Sequence, residues 1–152
     1  MIIASDQVNQ WLKEVDSSLT LNETGKLFLT SESGVEIVIA AVDSSSHLII
    51  NSDICIIPAK NKESLFEKAL VFNLYQEKTM GGSISIDPIS NALCLSLSLH
   101  VEKLDSVMFQ NSLQNVISIT NKLKEELANL AGPVERVSGS HSSSNTVNAI
   151  FV

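Results

Sequence analysis

Residues 80–100 constrain the fold more than any other part of this chain. Gly81-Gly82 leads into Ser83-Ile84-Ser85-Ile86-Asp87; after Pro88-Ile89-Ser90-Asn91 comes a second run, Leu93-Cys94-Leu95-Ser96-Leu97-Ser98-Leu99. Apolar residues at every second position put Ile84 and Ile86 on one face of a first strand. They put Leu93, Leu95, Leu97 and Leu99 on one face of a second. Pro88 presets φ, and Asp87, Ser90 and Asn91 bond their own backbone, so the connection reads as a turn. This predicts an antiparallel hairpin with one apolar face and one serine-lined face. A hairpin alone is marginal in water, so other parts of the chain must cover the leucines.

Upstream, Val8, Trp11, Leu12 and Val15 fall at i, i+3, i+4 and i+7. That is the stripe of a short amphipathic helix over 5–16, with Ser5 as its N-cap. Trp11, the only tryptophan, suits either core packing or a partner contact. Three strands are predicted over 26–30, 35–42 and 47–57, separated by the turn-forming segments 31–34 and 43–46. The run 35–42 is apolar at nearly every position, which predicts cover on both faces. Pro58 ends the third strand. A second helix, over 62–76 and capped by Asn61, carries Leu65, Phe66, Ala69, Leu70, Val71, Phe72, Leu74 and Tyr75 around most of its circumference. It needs burial on more than one side, and a second subunit is the expected second cover. The last helix opens at the N-cap Asp105 and keeps Phe109, Leu113, Val116, Thr120, Leu123, Leu127 and Leu130 on one stripe. Gly132 is expected as the left-handed residue past its end, and Pro133 forbids continuation.

The 152 residues allow one domain with a real core. We read 1–132 as that domain and 133–152 as a flexible Ser-rich tail. Residues 138–145 are too polar to pack, while Ala149-Ile150-Phe151-Val152 either frays or docks on this domain or a neighbour. A net charge of −7, a pI near 4.8 and a single arginine argue against nucleic acid and anionic membranes. No segment approaches the roughly 20 apolar residues of a membrane span. The first residues lack the basic start and apolar core of a signal peptide, so a cytoplasmic protein is expected. Cys55 and Cys94, each in an apolar strand-like run, are expected as buried thiols. No phosphate-binding loop, dinucleotide fingerprint, zinc-protease motif or nucleophile elbow occurs. His47, His100 and His141 are scattered, and a metal or nucleophile site would need them to converge with a cysteine. The chain is therefore expected to have no enzymatic activity, no metal and no cofactor.

The order helix, three strands, helix, hairpin, long helix and polar tail resembles the class I type III secretion chaperones, the Tir chaperone family. The likeness is sharpest over 70–127. There Leu70-Val71-Phe72-Asn73 closes the second helix and Gly81-Gly82 leads a strand ending in Asp87. Asn91 precedes Leu93-Cys94-Leu95, and Leu104-Asp105 opens the last helix. The arrangement covers about 5–131; the tail lies outside it. The resemblance implies an α+β fold and a homodimer in the bacterial cytoplasm. It implies binding of the non-globular N-terminal segment of a secreted effector, which is kept soluble and presented to the export apparatus and its ATPase. By the same resemblance the dimer interface comprises Phe72, Met80, Ile84, Ile86, Leu95 and Leu97. The client groove comprises Trp11, Leu27, Leu29, Val38 and Ile49. Surplus apolar surface is compatible with both uses. Two other readings stay open. One is a regulatory chaperone of the same fold, bound to an anti-activator or small secreted regulator. The other is a small-molecule-binding or enzymatic α+β domain, which requires His47, His100 and a cysteine to meet in a pocket.

Overall fold

A computed structural model describes residues 3–133 and 145–146. The chain runs α1 (Ala4–Val15), β1 (Lys26–Thr30), β2 (Glu36–Val42), β3 (His47–Ile56), α2 (Lys62–Asn73), β4 (Ser83–Asp87), β5 (Ala92–His100), α3 (Ser106–Leu127) and β6 (Asn145–Thr146). The fold is α+β, as expected. The hairpin and the three-stranded unit are fused into one sheet of order β4-β5-β3-β2-β1-β6. Every pairing is antiparallel except that of β1 with the two-residue β6. The apolar residues 149–152 lie outside the described residues, as does most of the proposed tail.

Strand register decides which side chains share a face. One cross-sheet row is Leu27, Ile39, Ile50 and Leu97; the next is Leu29, Ile37, Ser52, Leu95 and Ile84. α1 and α3 cover this face with Val8, Trp11, Leu12, Phe109, Leu113, Val116 and Leu123, all buried. The Trp11 and Phe109 rings stack at 5.6 Å between centroids, which joins the two helices. Ser52 Oγ and Thr120 Oγ1 share a buried hydrogen bond of 2.5 Å between β3 and α3.

The opposite face carries Phe28, Val38, Ala40, Val42 and Ile49, none of them buried. The expected two-sided cover of the middle strand is therefore corrected: the chain buries its Ile37 and Ile39 side and leaves the other side incompletely covered. An apolar run records a preference for burial, not which molecule supplies the cover.

The helix termini also differ from the sequence reading. Asp105 caps α3 by accepting the Met108 N–H at 2.7 Å, as predicted. Ser5, by contrast, lies inside α1. Its N–H and hydroxyl both donate to the Asp43 carboxylate, at 2.8 and 3.0 Å, so a distant turn satisfies the helix start. Asn61 occupies the N-cap position of α2 without a side-chain cap bond. Gly132 is not a left-handed terminator, because α3 already ends at Leu127. Its N–H donates to Ile56 O at 2.8 Å, and a Cβ there would lie 3.0 Å from Pro58 Cα. Only glycine permits that approach of two backbones.

Candidate functional site

α2 buries Leu65, Ala69 and Phe72 and turns Leu70 (67% exposed) and Val71 to solvent, and Leu74 is exposed just past its end. Tyr75, Met80, Ile86 and Ile89 extend the exposed apolar set through the following turn, β4 and the hairpin turn. Tyr75, Gln76 and Met80 are left-handed, with φ of 61°, 54° and 51°, a costly conformation for non-glycine residues that concentrates at functional sites. Asn73 locks α2 to β4: its Oδ1 accepts from Ile84 N at 2.7 Å and its Nδ2 donates to Ile84 O at 3.1 Å.

Of the six residues assigned to a dimer interface, Met80 and Ile86 lie on this surface. Phe72, Ile84 and Leu95 are buried within the subunit, and Leu97 is half-buried. Leu95 and Leu97 instead line a cavity of about 170 Å³ between β5 and α3, together with Leu99, Val116 and Ile119 and with Met80 at its edge. Leu70, Val71, Leu74 and Tyr75 were not assigned to the interface, although the all-round apolarity of α2 signalled them. Ile89, in a turn, had no such signal.

The five residues assigned to a client groove fall on two sides of the sheet. Trp11 is buried against Phe109, and Leu27 and Leu29 are buried on the helix-covered face. Val38 and Ile49 lie on the opposite face, so the five do not form one groove. On that face Val38 and Ile49 are joined by Ala40, Val42 and Phe28, the last 49% exposed. Asn51, Ser96 and Ser98 continue the face beside them, and Asn51 Oδ1 is a buried acceptor with no hydrogen-bond partner among the described residues. Sequence reasoning passed over Phe28, although its neighbours Lys26 and Thr30 mark their side of β1 as the wetter one.

Among the described residues the histidines and cysteines do not converge on one pocket. His47 and His100 meet across β3 and β5, with ring centroids 4.0 Å apart. Cys94 stands six residues back along β5, roughly 20 Å at the rise of a strand, and is paired with Asp53. The Cys94 thiol contacts Asp53 Oδ1 at 3.4 Å. Burial, aided by the Asp53 carboxylate, pushes this thiol up to about 12, and burial pushes Cys55 up to about 11. Both cysteines are free, and thiols so raised stay protonated and unreactive at neutral pH. Among the described residues no group of three or more His, Cys, Asp or Glu is placed to hold a metal. His141 lies outside them. No described helix is long and apolar enough to cross a membrane.

This architecture has counterparts. A sequence model of the Tir chaperone protein (CesT) family matches residues 8–124. No curated protein matches the chain as a relative. A chain of the ExsC–ExsE complex superposes with a TM-score of 0.72 at 16% identity, covering 88% of this chain and all (100%) of that one. The HopA1–SchA chaperone–effector complex gives 0.62 at 14% identity, with 82% and 98% covered. The ExoU–SpcU complex from the type III secretion system of Pseudomonas aeruginosa gives 0.60 at 16% identity, with 84% and 99% covered. At these identities the superpositions establish the fold.

Proposed function

The chain belongs to the Tir chaperone protein (CesT) family, and on that premise we propose that it is a cytoplasmic chaperone of bacterial type III secretion. It binds the non-globular N-terminal segment of a secreted effector, keeps it soluble, and delivers it to the export ATPase without itself catalysing a reaction. The observation that carries this reading is the pair of separate exposed apolar surfaces on one small subunit. A surface of this kind marks an interaction site, and two of them allow two partners at once.

The surface of Leu70, Val71, Tyr75, Met80 and Ile86 pairs with its own copy across a two-fold axis. The open face of Phe28, Val38, Ala40 and Ile49 receives the client. An extended, disordered segment suits that face because it can lay alternate side chains on apolar rows while bonding through its main chain. The HopA1–SchA complex, a chaperone–effector pair with a chain of the same fold, supports an effector as the partner. Both surfaces lie within the unit 1–132.

The test is capture of effectors from the cytoplasm of a secreting bacterium, read by mass spectrometry. Wild-type chain is expected to retain one or a few secreted proteins through their N-terminal segments. Val38→Asp and Phe28→Asp should remain folded dimers and lose that capture at least ten-fold. Full capture by both variants would remove the open face from the reading.

A further inference from the structure

The sheet has two outer rims, and the chain closes them differently. At β4 the outward N–H and C=O of Ile84 are both taken by the Asn73 side chain. At β1 the near end is closed locally, Asn22 Oδ1 accepting from Lys26 N at 3.0 Å and Asn22 N donating to Lys26 O at 2.7 Å. The other end is taken by backbone from late in the same chain, with Asn145 opposite Leu29 and Thr146 opposite Thr30, in parallel. Apart from β6, β1 ends the described sheet. An unpaired strand edge is a template for another extended chain, and strand addition is a recognised mode of peptide binding.

We propose that Asn145–Thr146 is a tethered occupant of the β1 edge, which an extended client segment must displace. The inference rests on the chaperone reading and adds to it a built-in competitor. Position is the first support. Phe28 is on β1 and half exposed on the open face, so a strand at this edge lies directly beside the apolar surface assigned to the client.

Reach is the second. Gly132 is fixed to Ile56 O at the end of β3. β1 and β3 each run antiparallel to β2, so Thr30 and Ile56 are at the same end of the sheet. Three strand spacings across and four residues along amount to about 20 Å. The 13 residue steps from Gly132 to Asn145 can span about 40 Å, so the tether is long enough.

Strength is the third. A two-residue ladder is weak, and the tether makes it count by raising its local concentration to about 1 mM. If a free peptide of the same sequence binds the bare edge with a Kd of about 0.1 mM, the tethered copy lowers its apparent affinity about ten-fold. Such an occupant shields the edge between clients and yields to a longer segment that also covers the open face.

The experiment compares the full-length wild type with N145P/T146P, in which both tail N–H donors are removed. The probe is a fluorescein-labelled synthetic peptide of residues 142–152. The variant is expected to bind it about ten-fold more tightly, and its β1 amides should exchange with solvent faster while those of α3 stay unchanged. Equal exchange and equal affinity in the two proteins would overturn the inference. So would faster exchange without tighter binding, since the bared edge would then not accept a peptide. If neither protein captures an effector from cells, the chaperone reading fails, while the peptide comparison still reports on the tail.

Discussion

Ile86→Asp is expected to separate the proposed dimer while leaving the subunit folded. Ile86 and Ile84 point to the same side of β4, but Ile86 is 52% exposed and Ile84 only 7%. The subunit has thus buried about half of Ile86. The remaining half is worth about 1 kcal/mol, from the 1.5–3 kcal/mol of a fully buried side chain. A two-fold interface counts it twice, about 2 kcal/mol. Aspartate adds a carboxylate to desolvate in each copy, and even after relaxation that costs several kcal/mol. A combined loss of at least about 4 kcal/mol raises Kd by about 10³ or more, enough to turn a nanomolar dimer into a micromolar one. Within the subunit the same change forfeits about 1 kcal/mol of burial. Sedimentation velocity at micromolar concentration reads the assembly, and a thermal melt reads the fold. Leu70→Asp, on the 67% exposed side of α2, should behave alike, whereas Ile84→Asp should fail to fold. Dimers that persist in both I86D and L70D would refute an interface built from α2 and β4.

Three further outcomes are expected. Asn73→Ala removes both bonds to the Ile84 backbone and should cost about 1–3 kcal/mol; the Ile84 amide should exchange faster while the β3 amides do not change. Thr120→Val strands the buried Ser52 hydroxyl and should cost about 1–3 kcal/mol in urea denaturation. Adding Ser52→Ala should recover most of that loss; simple additivity would show that the pair is not coupled. Cys94 and Cys55 have folded-state values raised to about 12 and about 11 from 9.0. The native state therefore keeps protons that the unfolded chain releases. Stability should hold up to about pH 9 and decline above it toward pH 12. Cys55→Ala/Cys94→Ala should flatten that decline, as urea midpoints at about pH 8 and about pH 10.5 would register.

Local signals in the sequence carried much of the fold. Alternation located the strands and sorted Leu93, Leu95, Leu97 and Leu99 from the serines between them, and Asp105 marked the start of α3. What alternation lacks is a partner. The pairing of β3 with β5, running from His47↔His100 to Ile56↔Ala92, joins segments far apart in the chain and leaves no local trace. The Asp43 cap on α1 and the Gly132 contact with Pro58 are long-range for the same reason. The candidate surfaces were half legible. An all-round apolar α2 pointed to a second cover, yet nothing local distinguished Phe72, which packs inside the subunit, from Leu70, which does not. On β1, alternation separated Leu27 and Leu29 from Phe28, but it could not say which set would meet the helices.

Asn73 bears on how large an assembly can grow. Five residues of β4 leave two outward rungs, at Ile84 and Ile86, and the asparagine amide fills the first. A neighbouring copy therefore cannot zip its backbone along this rim without ejecting that side chain. In the proposed dimer, contact between copies is left to side chains arranged about a two-fold axis. For a protein proposed to hold unfolded cargo, a rim with one of its two rungs already filled is a safeguard as much as a brace.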